Sequence, residues 1–158
     1  MSKTDTKKTK DININQKLQC IQTELKAPKG QTNKFGGYKY RSCEDILTGL
    51  KPLLEQYDCA LIISDDIVEI GGRVYVKASA SLSDTSTGES LSANGFAREA
   101  ETKKGMDDAQ ITGSASSYSR KYALNGLFAI DDTKDPDATN NHGSNLPKPV
   151  TKKQTPGF

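Results

Sequence analysis

The sequence predicts an α+β domain, a small three-stranded antiparallel meander packed with about three helices. Three observations predict it. A central stretch alternates apolar and polar side chains with period two. Gly71-Gly72 interrupts that stretch as a two-residue turn. Segments on either side repeat apolar residues at helical spacing.

The first helix is expected over residues 12–27. Ile14, Leu18, Ile21 and Leu25 form one apolar stripe, and Pro28 and Gly30 end it. Residues 29–41 read as a polar, glycine-containing loop with embedded aromatics. A second helix follows over 43–57. Ser42 is its N-cap, and Glu44 and Asp45 suit the positive end of the helix dipole. Ile46, Leu47, Leu50, Leu53, Leu54 and Tyr57 give it a broad apolar face, with a kink expected at Pro52.

The strands are expected at 61–70, 73–82 and 89–98. In the second, Val74, Val76, Ala78, Ala80 and Leu82 face the core; Arg73, Tyr75, Lys77, Ser79 and Ser81 face away. A Gly71-Gly72 turn sets Ile70 opposite Arg73, Val68 opposite Tyr75 and Asp66 opposite Lys77. Residues 84–88 form the next turn. In the third strand Leu91, Ala93, Gly95 and Ala97 point inward; Asn94, Phe96 and Arg98 point outward. The last helix is expected over 107–125 with Gly126 as its C-cap. It carries two stripes. Ile111, Ala115, Tyr118 and Tyr122 form one. Ala109, Gly113, Ser116 and Arg120 form the other, whose small residues let a backbone come close: a DNA strand, an adjacent subunit or, by preference, the chain's own sheet.

The 158 residues suit one domain with loose ends, and an apolar content of 34% leaves part of the chain unpacked. The division reads as a basic disordered N-terminus at 1–11, a domain at 12–131 and a disordered tail at 132–158. The first ten residues hold four lysines with no apolar stretch behind them, which is not the pattern of a secretory signal. No apolar run approaches the roughly 20 residues that span a bilayer. Cys20, Cys43 and Cys59 are an odd, widely spaced set, and His142 is the single histidine. That excludes a disulfide framework and a structural zinc site, and no metal or cofactor is expected.

Enzyme classes fare poorly. No G-x-x-x-x-G-K-[ST] occurs, so ATP hydrolysis through a phosphate loop is out. Ser-His-Asp chemistry would need His142, in the tail. Glu101-Thr102-Lys103 with Asp84 upstream has the look of a metal nuclease motif, but that pattern is common by chance.

The net charge is +2, and its distribution says more than its total. Five bases and no acid lie between Lys26 and Cys43, with Phe35, Tyr38 and Tyr40 among them. Single-strand binders need cations for phosphates and flat rings for unstacked bases. The same segment also reads as a solvated loop pinned by its aromatics. A second candidate is the outward sheet face with Arg73, Tyr75, Lys77, Phe96 and Arg98, where Lys77 serves either a phosphate or Asp66 across the strand. The third joins Lys103 and Lys104 to Arg120 and Lys121.

These residues carry a resemblance. Tyr38-Lys39-Tyr40-Arg41-Ser42 followed by Glu44-Asp45-Ile46-Leu47 resembles the opening motif of the ERF (essential recombination function) family. Gly105-Met106-Asp107, then Gly113-Ser114-Ala115-Ser116-Ser117-Tyr118-Ser119-Arg120-Lys121-Tyr122-Ala123-Leu124, resembles its second. Leu127-Phe128-Ala129-Ile130-Asp131-Asp132 resembles the ending that follows. The resemblance implies a phage single-strand annealing protein, not an enzyme, whose core is similar to those of other single-strand annealing proteins. The implied partners are single-stranded DNA, further copies of the chain in a ring or filament, and a single-strand-binding protein or exonuclease. The implied place is the cytoplasm of the infected bacterial host, with no membrane.

The DNA-binding residues expected are Lys34, Tyr38, Lys39, Tyr40, Arg41, Arg98, Lys103, Lys104, Arg120 and Lys121. Lys39, Arg41, Arg120 and Lys121 are the leading phosphate contacts, with Tyr38 or Tyr40 as a stacking ring, in one groove where the loop before the second helix is expected to lie beside the last helix. Arg120 is preferred over Lys121, because it continues the small-residue stripe. A rival from another class is a protein-interaction module of a phage recombination or replication complex with little DNA binding of its own. The near-neutral charge favours it and the basic aromatic loop opposes it.

Overall fold

A computed structural model of the chain describes residues 12–130. The basic N-terminus and the tail anticipated from composition lie outside the described residues. The elements run α1 (Ile14–Glu24), β1 (Gln31–Thr32), β2 (Lys39–Tyr40), α2 (Cys43–Gln56), β3 (Cys59–Ile70), β4 (Arg73–Asp84), β5 (Ser90–Arg98) and α3 (Asp108–Phe128). The α+β class, the three helices and the antiparallel meander are as expected. Among the described residues no helix is long and apolar enough to cross a membrane.

Local chemistry sets most of the boundaries. Asn13, Ser42 and Asp107 each begin a helix with a capping box, the side chain accepting from the N–H three residues on. Helix α1 is shorter than its apolar stripe suggests. Leu25 turns to extended backbone at ψ 121, ahead of Pro28. Helix α2 runs through Pro52 without a break. Pro52 is exposed, so the carbonyl it deprives of a partner lies on the solvent side.

The meander has the order β3-β4-β5 and the anticipated register. Ile70 pairs with Arg73, Val68 with Tyr75 and Asp66 with Lys77. Gly71 and Gly72 have φ of +60 and +73, the left-handed pair that a tight hairpin of matching twist requires. Val76, Ala78, Ala80 and Leu82 are buried under the helices. Val74 shares their face but stays half-exposed, lining a cleft with Asp108 and Ile111 of the last helix. The opposite face is bare among the described residues, with Ile62 and Phe96 exposed.

Helix α3 lies across β4 and β5, and α2 packs against α3 and β3. Two expectations about α3 need correction. Gly126 does not cap it; the helix continues to Phe128 and is capped by left-handed Ala129. Leu127 and Phe128 are buried in the core. Burying them contributes about 1.5–3 kcal/mol each. That outweighs about 1 kcal/mol for a helical glycine and about 1–2 kcal/mol for a left-handed alanine. The second stripe meets the sheet only at its far end, where Ser116 and Arg120 bond Asp65 of β3; Ala109 and Gly113 do not rest on it. Both are exposed, and a Cβ on Gly113 would meet nothing within 4 Å. The close approach comes from the sheet side instead. A Cβ on Gly95 would lie 2.2 Å from the Ser119 carbonyl oxygen and 2.4 Å from the Ala123 nitrogen. Gly95 therefore lets α3 settle onto β5.

One charged pair sits inside the domain. Lys17 of α1 is 1% exposed and Asp84, at the end of β4, 3%. Their Nζ and Oδ2 atoms are 2.8 Å apart. Asp84 Oδ1 also accepts from the Ser86 N–H at 2.8 Å, which shapes the turn into β5.

Candidate nucleic-acid interface

The segment read as a loop folds back on itself. β1 and β2 pair with Gln31 opposite Tyr40 and Thr32 opposite Lys39. Asn33 closes the bend: its Oδ1 accepts from the N–H groups of Phe35 and Gly36 at 2.8 and 2.9 Å. Its amide donates to the Tyr38 hydroxyl at 3.0 Å. The hairpin is tied to α2 through Asp45. Hydrogen bonds from the Ser42 backbone N–H, then the Ser42 hydroxyl and the Gln31 side chain, hold the Asp45 carboxyl below its usual range.

Tyr38 and Tyr40 meet edge to face, with ring centroids 6.3 Å apart. Lys39 between them projects to the other side, as strand alternation requires. The ring pair forms one wall of a cleft of about 280 Å³. Arg41, just before α2, lines it with Cys43 and Glu44 of α2, and Tyr118 and Lys121 line it from α3. The two motifs, far apart in sequence, thus meet across one gap. Lys121 Nζ lies 5.6 Å from the centroid of the Tyr118 ring. Burial pushes the Cys43 thiol up from its ordinary value, which keeps it protonated and unreactive near neutral pH.

Arg120 is placed differently from its neighbour. Its Nε lies 3.0 Å from both Asp65 carboxylate oxygens, and Nη2 lies 2.9 Å from Oδ2. The Ser116 hydroxyl donates to the same carboxylate. Burial pulls the Asp65 carboxyl upward, but the Arg120 and Ser116 hydrogen bonds outweigh it and hold it below its usual range. The guanidinium joins α3 to β3. Consecutive helical residues point about 100° apart, and Lys121, not Arg120, takes the cleft side. This reverses the preference drawn from the stripe.

The other expected residues divide. Arg98 and Lys103 line a second cleft, of about 370 Å³, along β5 and α3. Tyr118 lines both clefts. Lys34 and the fully exposed Phe35 stand at the hairpin tip, Lys39 on its other side, and Lys104 beside Lys103, all exposed. On the sheet's bare face Lys77 sits opposite Asp66 on one side and Phe96 on the other. Among the described residues no His, Cys, Asp or Glu cluster is arranged to hold a metal. Asp84 of the nuclease-like pattern is bound to Lys17.

Two rings were missed as surface groups. Tyr118 and Tyr122 are 51% and 45% exposed, though they share a helical stripe with buried Ile111 and Ala115. The available signal was chemical: tyrosines four apart carry hydroxyls that favour a rim over a core.

The sequence model of the ERF superfamily matches residues 14–156. The essential recombination function protein of Salmonella phage P22 is 61% identical over 121 residues, covering 77% of this chain and 57% of that relative. The chain thus spans little more than half the length of that relative. No solved structure matches.

Proposed function

The chain belongs to the ERF superfamily, and from that premise we propose that it binds single-stranded DNA and anneals complementary strands in phage homologous recombination. The proposed process needs no ATP and proceeds in the cytoplasm of the infected bacterium. The name of the P22 relative supports the recombination role. The observation that carries the binding is the cleft where Tyr38, Tyr40 and Arg41 face Tyr118 and Lys121. It pairs cations with rings in one groove, as a single strand requires. Its volume lies just below the roughly 300–1,000 Å³ of small-molecule pockets, which suits a stretch of a longer chain.

Annealing itself needs no reactive group. It needs strands held by their phosphates with base edges left to test a complement. A net charge of +2 is enough when the bases are concentrated along a groove. Copies of the chain, arranged as a homo-oligomer, would align such grooves along a strand. A single-strand-binding protein or an exonuclease would be a further partner.

Removing one phosphate contact lowers the dependence of log affinity on log salt by about 0.7 for single strands. Arg41→Ala and Lys121→Ala should each show that drop in a titration against an oligothymidylate, with weaker binding for every sequence. Folded variants whose affinity and salt slope match the unmodified protein would show that the cleft is not the binding groove.

A further inference from the structure

The second cleft meets the first at Tyr118 of α3, the residue common to both. The second cleft combines bases and rings as the first does, without the carboxylate that Glu44 adds there. Arg98 and Lys103 supply two bases, no acid lines it, and Phe96 and Tyr122 supply exposed rings over an apolar floor of Ile111 and Ala115. Tyr118 and Tyr122 lie 6.2 Å apart by ring centroid on consecutive turns. Both remain about half-exposed although the helix buries Ile111, Ala115 and Ser119 beside them. Nothing in the packing of α3 requires two aromatic rings at its rim.

The bare sheet face also carries bases beside rings, with Tyr75 opposite Arg98 and Lys77 opposite Phe96. There Lys77 has Asp66 as its other neighbour, and exposed Ile62 has no base in register opposite it. Phe96 and Arg98, on the edge strand, also line the second cleft beside α3.

We propose that one DNA strand occupies both clefts at once, crossing α3 at Tyr118, whose ring carries an unpaired base. This rests on the single-strand reading above and extends it to a binding path with a defined middle. Arg41 and Lys121 take phosphates on one side of the crossing, and Arg98 and Lys103 take them on the other. The ammonium of Lys121 lies over the Tyr118 ring, 5.6 Å from its centroid, so the base stacks on the ring's other face with a phosphate partner close by. Because stacking needs an unpaired base, the crossing selects single strands over duplex.

The test compares the full chain with Tyr118→Ala, Tyr118→Phe and the double variant Arg98→Ala/Lys103→Ala. An oligothymidylate and a blunt duplex are titrated over a range of salt, with thermal melting and oligomeric state checked for each protein. Tyr118→Phe should bind the single strand like the unmodified chain. Tyr118→Ala should bind it on the order of tenfold more weakly with an unchanged salt slope. The double variant should lower the slope by about 1.4. Single-strand affinity unchanged in Tyr118→Ala, an equal loss for duplex, or an unchanged slope in the double variant would each overturn the crossing. The unmodified chain failing to bind the oligothymidylate would overturn the functional reading as well. The double variant alters exposed positions and keeps the proposal testable if a Tyr118 variant folds poorly.

Discussion

Gly95→Ala should strongly destabilise the domain, by at least about 3 kcal/mol, the upper part of the range for overpacked cores. The added carbon would sit 2.2 Å from one backbone atom of α3 and 2.4 Å from another. Side chains can rotate away from such a contact; a helix backbone cannot. The helix would have to lift from β5, which would loosen the packing around Ala123 and Ala78. Gly113→Ala supplies the contrast. It lies on the same helix with open space around it, so replacing glycine by the best helix former should raise stability by about 1 kcal/mol. Chemical denaturation of both variants reads the two signs. Equal, small effects would mean that α3 does not rest on β5 as described.

The second large effect concerns Lys17 and Asp84. Asp84→Asn leaves a buried ammonium without its counter-charge, and a melting temperature lower by on the order of 10 °C is expected. Lys17→Met should also destabilise. The double variant Lys17→Met/Asp84→Asn should recover part of the loss relative to Asp84→Asn, since no unpaired buried charge remains. The hydrogen bond from Lys17, followed by that from the Ser86 N–H, holds the Asp84 carboxyl below its usual range. The unfolded chain, with an ordinary value of about 3.9, then binds more protons in that window. Stability from this group is present above about pH 4 and lost as pH falls through the lower folded value. Asp84→Asn should therefore lose less stability than the unmodified chain as pH falls below about 4. A double variant no more stable than Asp84→Asn would mean the pair is not a buried unit.

Those two features also mark what could be read in the sequence. Strand alternation, the Gly71-Gly72 turn and the cap at Ser42 are local signals, and each was legible; the caps at Asn13 and Asp107 went unread. The register followed from the turn alone. Lys17 was not legible as a buried residue, because a lysine in an amphipathic helix ordinarily lies outside. Its partner is on β4, and nothing nearby in sequence announces it. The same holds for Arg120 and Asp65, which lie on α3 and β3. Helical periodicity placed Tyr118 and Tyr122 in line with Ile111 and Ala115 correctly. It could not tell that the sheet ends beneath the tyrosines and leaves them at a rim. The end of α3 was misread because burial of Leu127 and Phe128 overrode the local preference of Gly126. The candidate cleft was legible as two motifs expected to meet in one groove, and they do meet there. Which of Arg120 and Lys121 faces it depends on a carboxylate from a distant strand.

The most direct test of the central claim is an annealing assay. Complementary oligonucleotides, one carrying a fluorophore and the other a quencher, are mixed with the purified chain in the absence of nucleotide and magnesium. Duplex should form faster with protein than without, and Arg41→Ala/Lys121→Ala should abolish most of the gain. Single strands left to anneal at their spontaneous rate by a folded protein, or acceleration only when ATP is added, would contradict that claim.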